Sequence, residues 1–103
     1  MPNTPRPSVR TAKRSTSFEP EVALLLGQVI RSAREVQGIA QDSLALRAGV
    51  DRSYYGKLER GERQPSIGHL IRIGRALEIP AWELIEHLEG NLRGNKSRRR
   101  QMP

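Results

Sequence analysis

Cysteine is absent from all 103 residues. That absence excludes disulfide stapling, a thiolate nucleophile, thiolate metal sites and thiol redox sensing, and it fits a reducing compartment. Aromatic residues are nearly as scarce. Phe18, Tyr54, Tyr55 and Trp82 are the full set, so a core must be built mainly from Leu, Ile, Val and Ala. No apolar run approaches the ~18 residues needed to span a bilayer. The basic N-terminus has no apolar signal core behind it, so no membrane partner is expected and the cytoplasm is the expected location. There is no Gly-rich phosphate loop and no Ser/His/Asp arrangement, and His69 and His87 lie on separate segments without metal-ligand spacing. No catalytic residue, metal ligand or cofactor is therefore assigned, and enzyme activity is not expected.

What the chain does have is positive charge, unevenly placed. The formal net charge is +7. Residues 91–103 carry Arg93, Lys96, Arg98, Arg99 and Arg100 and no acid, while residues 1–20 carry Arg6, Arg10, Lys13 and Arg14 against Glu19. The stretch between them holds nine basic against ten acidic residues. Basic ends suit a polyanionic partner, because each neutralised phosphate releases counterions. They equally suit solvated tails that keep a protein soluble. Both ends are poor in large apolar residues and cannot offset the entropy of ordering. The expected organisation is a disordered basic tail over 1–17, one folded domain over 18–90, and a second disordered basic tail over 91–103.

Within the domain, hydrophobic spacing predicts five short helices and no strand, an all-α class. Pro20 suits the first turn of a helix whose face is Val22, Leu26, Val29, Ile30, Ala33 and Val36, ending at Gly38. A short second helix spans Gln41 to Ala48 and stops at Gly49. Asp51 is a good N-cap for a third, which ends near Arg60 with Gly61 beyond it. Ser66 caps a fourth with Ile67, Leu70, Ile71, Gly74 and Leu77 inward. Pro80 opens a fifth, "PAWELIEHLE", with Ala81, Leu84, Ile85 and Leu88 inward.

The second and third helices would pack closely against each other. Ala45 is small where they would cross, and Gly49 supplies a turn that needs positive φ. Leu44, Ala48, Val50, Tyr55 and Leu58 can bury together beneath the crossing. The pair reads as a helix-turn-helix, with the outer face of its second helix left polar, small and cationic.

The stretch "QDSLALRAGVDRSYYGKLERGERQPSIGHLIRIGRAL" resembles the lambda-repressor-like, XRE-type helix-turn-helix DNA-binding family. The matching blocks are the Gln that opens helix two, Leu-Ala at 44–45, Ala-Gly-Val at 48–50, Leu-Glu-Arg-Gly at 58–61 and Pro-Ser at 65–66. They cover roughly residues 24–88 and neither tail. The resemblance implies a compact five-helix domain that places helix three in the major groove of double-stranded DNA. By position it implies Arg52, Ser53 and Lys57 as base readers. Their chemistry agrees, since Arg forks onto the O6 and N7 of guanine, Lys reaches the same acceptors and Ser bonds several base edges.

Gln41, Ser43, Arg60, Arg63 and the helix start at Ser66 are the expected backbone contacts, which fix register without reading sequence. Arg63 has the minor groove as an alternative. Tyr54 offers either a hydroxyl to a phosphate or cover for the edge of the core. Gly56, between Ser53 and Arg60, either permits close approach of the helix backbone to DNA or is a tolerated weakness. The resemblance also implies an ion pair between Glu59 and Arg34 of helix one.

Three positions depart from the family pattern. Ala40 stands where Ser or Thr is usual, Tyr55 fills an inward site usually held by Ile or Val, and Trp82 falls where the pattern is polar. An exposed Trp82 is a natural anchor for a homodimer interface. The expected role is a transcriptional regulator, most simply a repressor, acting as a homodimer. An antitoxin that also binds a toxin partner is one alternative, marked by a neighbouring toxin-sized reading frame. A protein-interaction adaptor without DNA reading is another, though three cations on helix three argue against it.

Overall fold

The helices begin and end where local chemistry satisfies their terminal backbone groups. In the computed structural model, which describes residues 17–101, α1 spans Pro20–Val36, α2 Gln41–Ala48, α3 Arg52–Glu59, α4 Ile67–Leu77 and α5 Ala81–Gln101. There is no strand among the described residues. Asp51 caps α3, its carboxylate accepting from the Tyr54 N–H at 3.0 Å. Ser66 caps α4, its hydroxyl accepting from the His69 N–H at 3.0 Å. Ala40 gives α2 no such side-chain cap.

The turns on either side of α3 depend on left-handed glycines. Gly49 has φ 68° and Gly61 φ 77°. In each case the next N–H reaches back over the helix end, Val50 to the Ala45 carbonyl at 3.0 Å and Glu62 to the Lys57 carbonyl at 2.9 Å. This closes two otherwise orphaned carbonyls, and at Gly49 it turns the chain from α2 into α3.

Glu78 does the same job after α4 at φ 61°, with a side chain in a backbone region that resists one. Left-handed backbone costs an L-residue about 1–2 kcal/mol, partly offset in glycine by its greater chain entropy. Glu78→Gly should therefore raise stability by about 0.5–1 kcal/mol, read as an increase of a few degrees in Tm. An unchanged or lower Tm would contradict it.

The core lies where α1, α2, α3 and α4 converge and α5 closes one side. Ile30, Leu44, Tyr55, Leu58, Ile73, Leu77 and Leu84 are fully buried. Each such aliphatic side chain contributes about 1.5–3 kcal/mol. α1 packs on α3 and α5, and α2 packs on α3 and α4. α3 is thus fixed along its inner side by two helices.

Three expectations from the sequence are corrected here. Val36, expected inward, is 85% exposed, and Ile67 and Ile71 are exposed as well, with Ile73 buried in their place. Val36 ends α1 and Ile67 begins α4, so no neighbouring helix covers either. The fifth helix does not stop near residue 90 but continues through Gly90 and Gly94 to Gln101. Each interior glycine costs up to about 1 kcal/mol, and packing on α1 offsets it: Leu92 joins the core margin and Asn95 Nδ2 donates to Glu21 Oε2 at 3.3 Å. The domain therefore extends beyond 90. Of the expected N-terminal tail over 1–17, residues 1–16 lie outside the described residues. No described helix is long and apolar enough to cross a membrane.

Candidate nucleic-acid interface

α3 presents two unlike sides. Tyr55, Gly56, Leu58 and Glu59 are buried, Arg52 and Ser53 are exposed, and Tyr54 and Lys57 are half-buried. Ser53, Lys57 and Arg60 follow one another at four- and three-residue steps, so they line one edge of the helix. Arg52 projects beside them at its N-terminus. The structure thus brings the three expected base-reading side chains onto one outward surface.

The buried side of α3 is fastened through a carboxylate. Arg34 Nε donates to Glu59 Oε2 at 2.6 Å and Arg34 Nη2 to Glu59 Oε1 at 3.0 Å, a two-pronged pair whose side chains are 12% and 2% exposed. The Tyr55 hydroxyl donates to Glu59 Oε2 at 2.5 Å and Gln41 Nε2 to Glu59 Oε1 at 2.9 Å. Arg34 Nη1 also donates to the Ile39 carbonyl at 2.8 Å.

Burial pushes the Glu59 carboxyl up. The hydrogen bonds from Arg34, Tyr55 and Gln41, together with the Arg34 charge, outweigh that and hold it below the ordinary carboxylate value. Arg34 is raised by its hydrogen bond to Glu59. Tyr55 is raised by burial and by the same carboxylate, so it stays neutral. One anion therefore ties α1, α2 and α3 together.

Gln41 is accordingly not a free amide at the start of α2. Its side chain turns inward to Glu59, which leaves the second N–H of the amide and the backbone of the helix start for an outside acceptor. Ser66 Oγ is likewise engaged as a helix cap. Ser43 and Arg63 are exposed.

Gly56 differs from its expectation. It is buried, and the Arg60 guanidinium lies over it, with Nη1 3.1 Å from where a Cβ would stand. A side chain four residues on folds back over the preceding turn, so the backbone at Gly56 is covered, not bare. Arg60 is itself held by Glu62, Nε to Oε2 at 2.8 Å. That hydrogen bond raises the arginine and lowers the glutamate. Tyr54 places its ring 5.2 Å from that of His69 and its hydroxyl 3.5 Å from the Gln64 carbonyl, which makes it cover at the edge of the core.

Sequence reasoning missed four supporting residues. Arg72 Nη1 donates to the Gly49 carbonyl at 3.1 Å and so pins the turn between α2 and α3 from α4. Gln64 bonds the Ser17 carbonyl at 3.0 Å and the Glu19 N–H, tying the start of the domain to the loop after α3. Asp42 bonds Arg52. Gly27 allows α1 to touch the backbone of α3. Only the last carried a visible signal, a glycine inside an apolar helical stretch.

Two short helices crossing at a left-handed glycine, the second buried along one side and cationic along the other, define a helix-turn-helix module. The helix-turn-helix family model matches residues 30–82. The chain is 35% identical over 63 residues to the HTH-type transcriptional regulator SlrR of Bacillus subtilis, 60% of this chain and 41% of that one. It spans 26% of another curated regulator that it matches at 38% identity. Among solved structures it is similar to the restriction-modification controller protein C.AhdI from Aeromonas hydrophila, at 36% identity and a TM-score of 0.60 over 64% of this chain and 98% of that one. It is also similar to SinR, a master regulator for biofilm formation solved in complex with DNA, at 33% identity and a TM-score of 0.56 over 58% of this chain and 97% of that one. The chain belongs to the lambda-repressor-like, XRE-type helix-turn-helix family.

Proposed function

We propose that the protein binds duplex DNA sequence-specifically as a homodimer and regulates transcription, most simply by occluding a promoter. The observation that carries this reading is the joint projection of Arg52, Ser53 and Lys57 from a helix held rigidly on its other side. SinR, with the same fold, is a regulator solved on DNA. Arg52, Ser53 and Lys57 meet base edges in the major groove. Arg60, Arg63, Ser43 and the starts of α2 and α4 near Gln41 and Ser66 face the phosphates.

Two copies would set their third helices in successive major grooves about 34 Å apart. Trp82, 66% exposed near the start of α5, is a suitable anchor for that pairing. The basic end segments add nonspecific affinity that falls with salt. Absence of cysteine suits work in the cytoplasm.

Selection of bound fragments from random duplexes tests the reading directly. The full chain should enrich a roughly palindromic motif, and Arg52→Ala should lose about 1–3 kcal/mol of discrimination at one base pair of each half-site while keeping its melting temperature. Recovery of fragments no different from the input pool would refute sequence-specific binding.

A further inference from the structure

Asp42 stands in the first turn of α2, on the side from which a DNA backbone would approach, and its Oδ2 accepts from Arg52 Nη1 at 3.0 Å. The two side chains are 62% and 72% exposed. An open ion pair of this kind adds little to stability. An acid near phosphates also weakens the binding of any DNA by like-charge repulsion. Its effect on Arg52 is of a different kind. A long side chain that would otherwise sample many rotamers is drawn toward α2 and held by one guanidinium nitrogen, which leaves the donors on the others for a base edge. Fixing a donor before contact lowers the entropy lost on contact, and it does so only for a base edge placed where the fixed donor points.

We propose that Asp42 is a positioning residue for sequence discrimination: it orients the Arg52 guanidinium for one base pair and penalises DNA that cannot use it. This rests on the reading of α3 as the base-reading helix. Asp42 therefore makes the protein bind arbitrary DNA less well and its own site more selectively. A purely local role is the competing explanation, since an acid in a helix's first turn also favours the helix dipole and α2 has no side-chain cap. That role would change stability and leave base preference alone.

The experiment compares wild type, Asp42→Asn, Arg52→Ala and the double variant, all as full chains. Each is titrated against the selected site, against single-base-pair variants of it, and against random duplex. Arg52→Ala should lose about 5- to 150-fold discrimination at one base pair. Asp42→Asn should lose about 2- to 5-fold at that same base pair, the scale of an exposed pair's coupling, while binding random duplex more tightly. In the double variant the Asp42 change should add nothing to the loss at that pair.

Unchanged preference in Asp42→Asn, with Arg52→Ala showing its loss, overturns the positioning role and leaves base reading intact. An equal extra loss in the Arg52→Ala background overturns it too, because Asp42 would then act elsewhere. No loss in Arg52→Ala overturns both the base-reading assignment and this inference.

Discussion

Glu59→Gln should lower the unfolding free energy by about 3–5 kcal/mol, the range found when one partner of a buried ion pair is removed. The substitution keeps size and shape but removes the charge that Arg34 opposes, leaving a guanidinium that is only 12% exposed beside a neutral amide. It also puts an N–H₂ group among donors from Arg34, Tyr55 and Gln41, where only acceptors are useful. For a domain whose total stability is about 5–15 kcal/mol, this is a large fraction. Urea titration would measure it, with the midpoint falling and the slope unchanged. Midpoints within error of each other would remove Glu59 from its structural role.

The same site gives a pH signature. The folded Glu59 carboxyl lies below the ordinary 4.5. Its contribution is fully present above the unfolded value and is lost as pH falls from there through the folded one. Wild type and Glu59→Gln should thus differ most near neutral pH and converge in acid below the ordinary carboxylate range. A gap that stays constant down to the lowest pH at which the protein folds would contradict the assignment.

Gly27→Ala should destabilise the protein by about 3 kcal/mol or more, at the upper end of what overpacking costs. A Cβ at Gly27 would run into the Leu58 carbonyl oxygen and stand 2.6 Å from that of Glu59. Both are backbone atoms, which no rotamer change can move aside. The helices must separate, and Arg34, two turns further along the same side of α1, must move away from Glu59 with them. In an open helical position the substitution has the opposite sign, because alanine is the better helix former by about 1 kcal/mol. Gly90 is such a position, with nothing within 4 Å of the point a Cβ would occupy. Gly90→Ala should therefore stabilise slightly while Gly27→Ala unfolds readily. Similar thermal shifts for both would mean that the close contact between α1 and α3 does not govern packing.

Much of the fold was legible because the relevant signals are local. Pro20, Asp51, Ser66, Gly49 and Gly61 act within four residues of their own position, so their types alone fix where helices start and stop. The outward side of α3 was legible for a similar reason. Leu58 and Tyr55 mark its inner stripe at helical spacing, and Arg52, Ser53 and Lys57 fall away from that stripe. How far a stripe is covered was not legible. Val36 and Ile67 continue their helices' apolar pattern past the reach of a neighbour, and α5 continues past two glycines because α1 offers Leu92 and Asn95 a surface.

The sequence by itself determined the five helices, the glycine turn and the identity of the side chains on the exposed face of α3. Tertiary structure alone decided that Gln41 turns to Glu59 and that Asp42 holds Arg52. The physical reason is range. Backbone preference and periodicity act over a few consecutive residues, whereas a hydrogen bond between residues ten or eighteen apart depends on where two helices have already been placed by their packing.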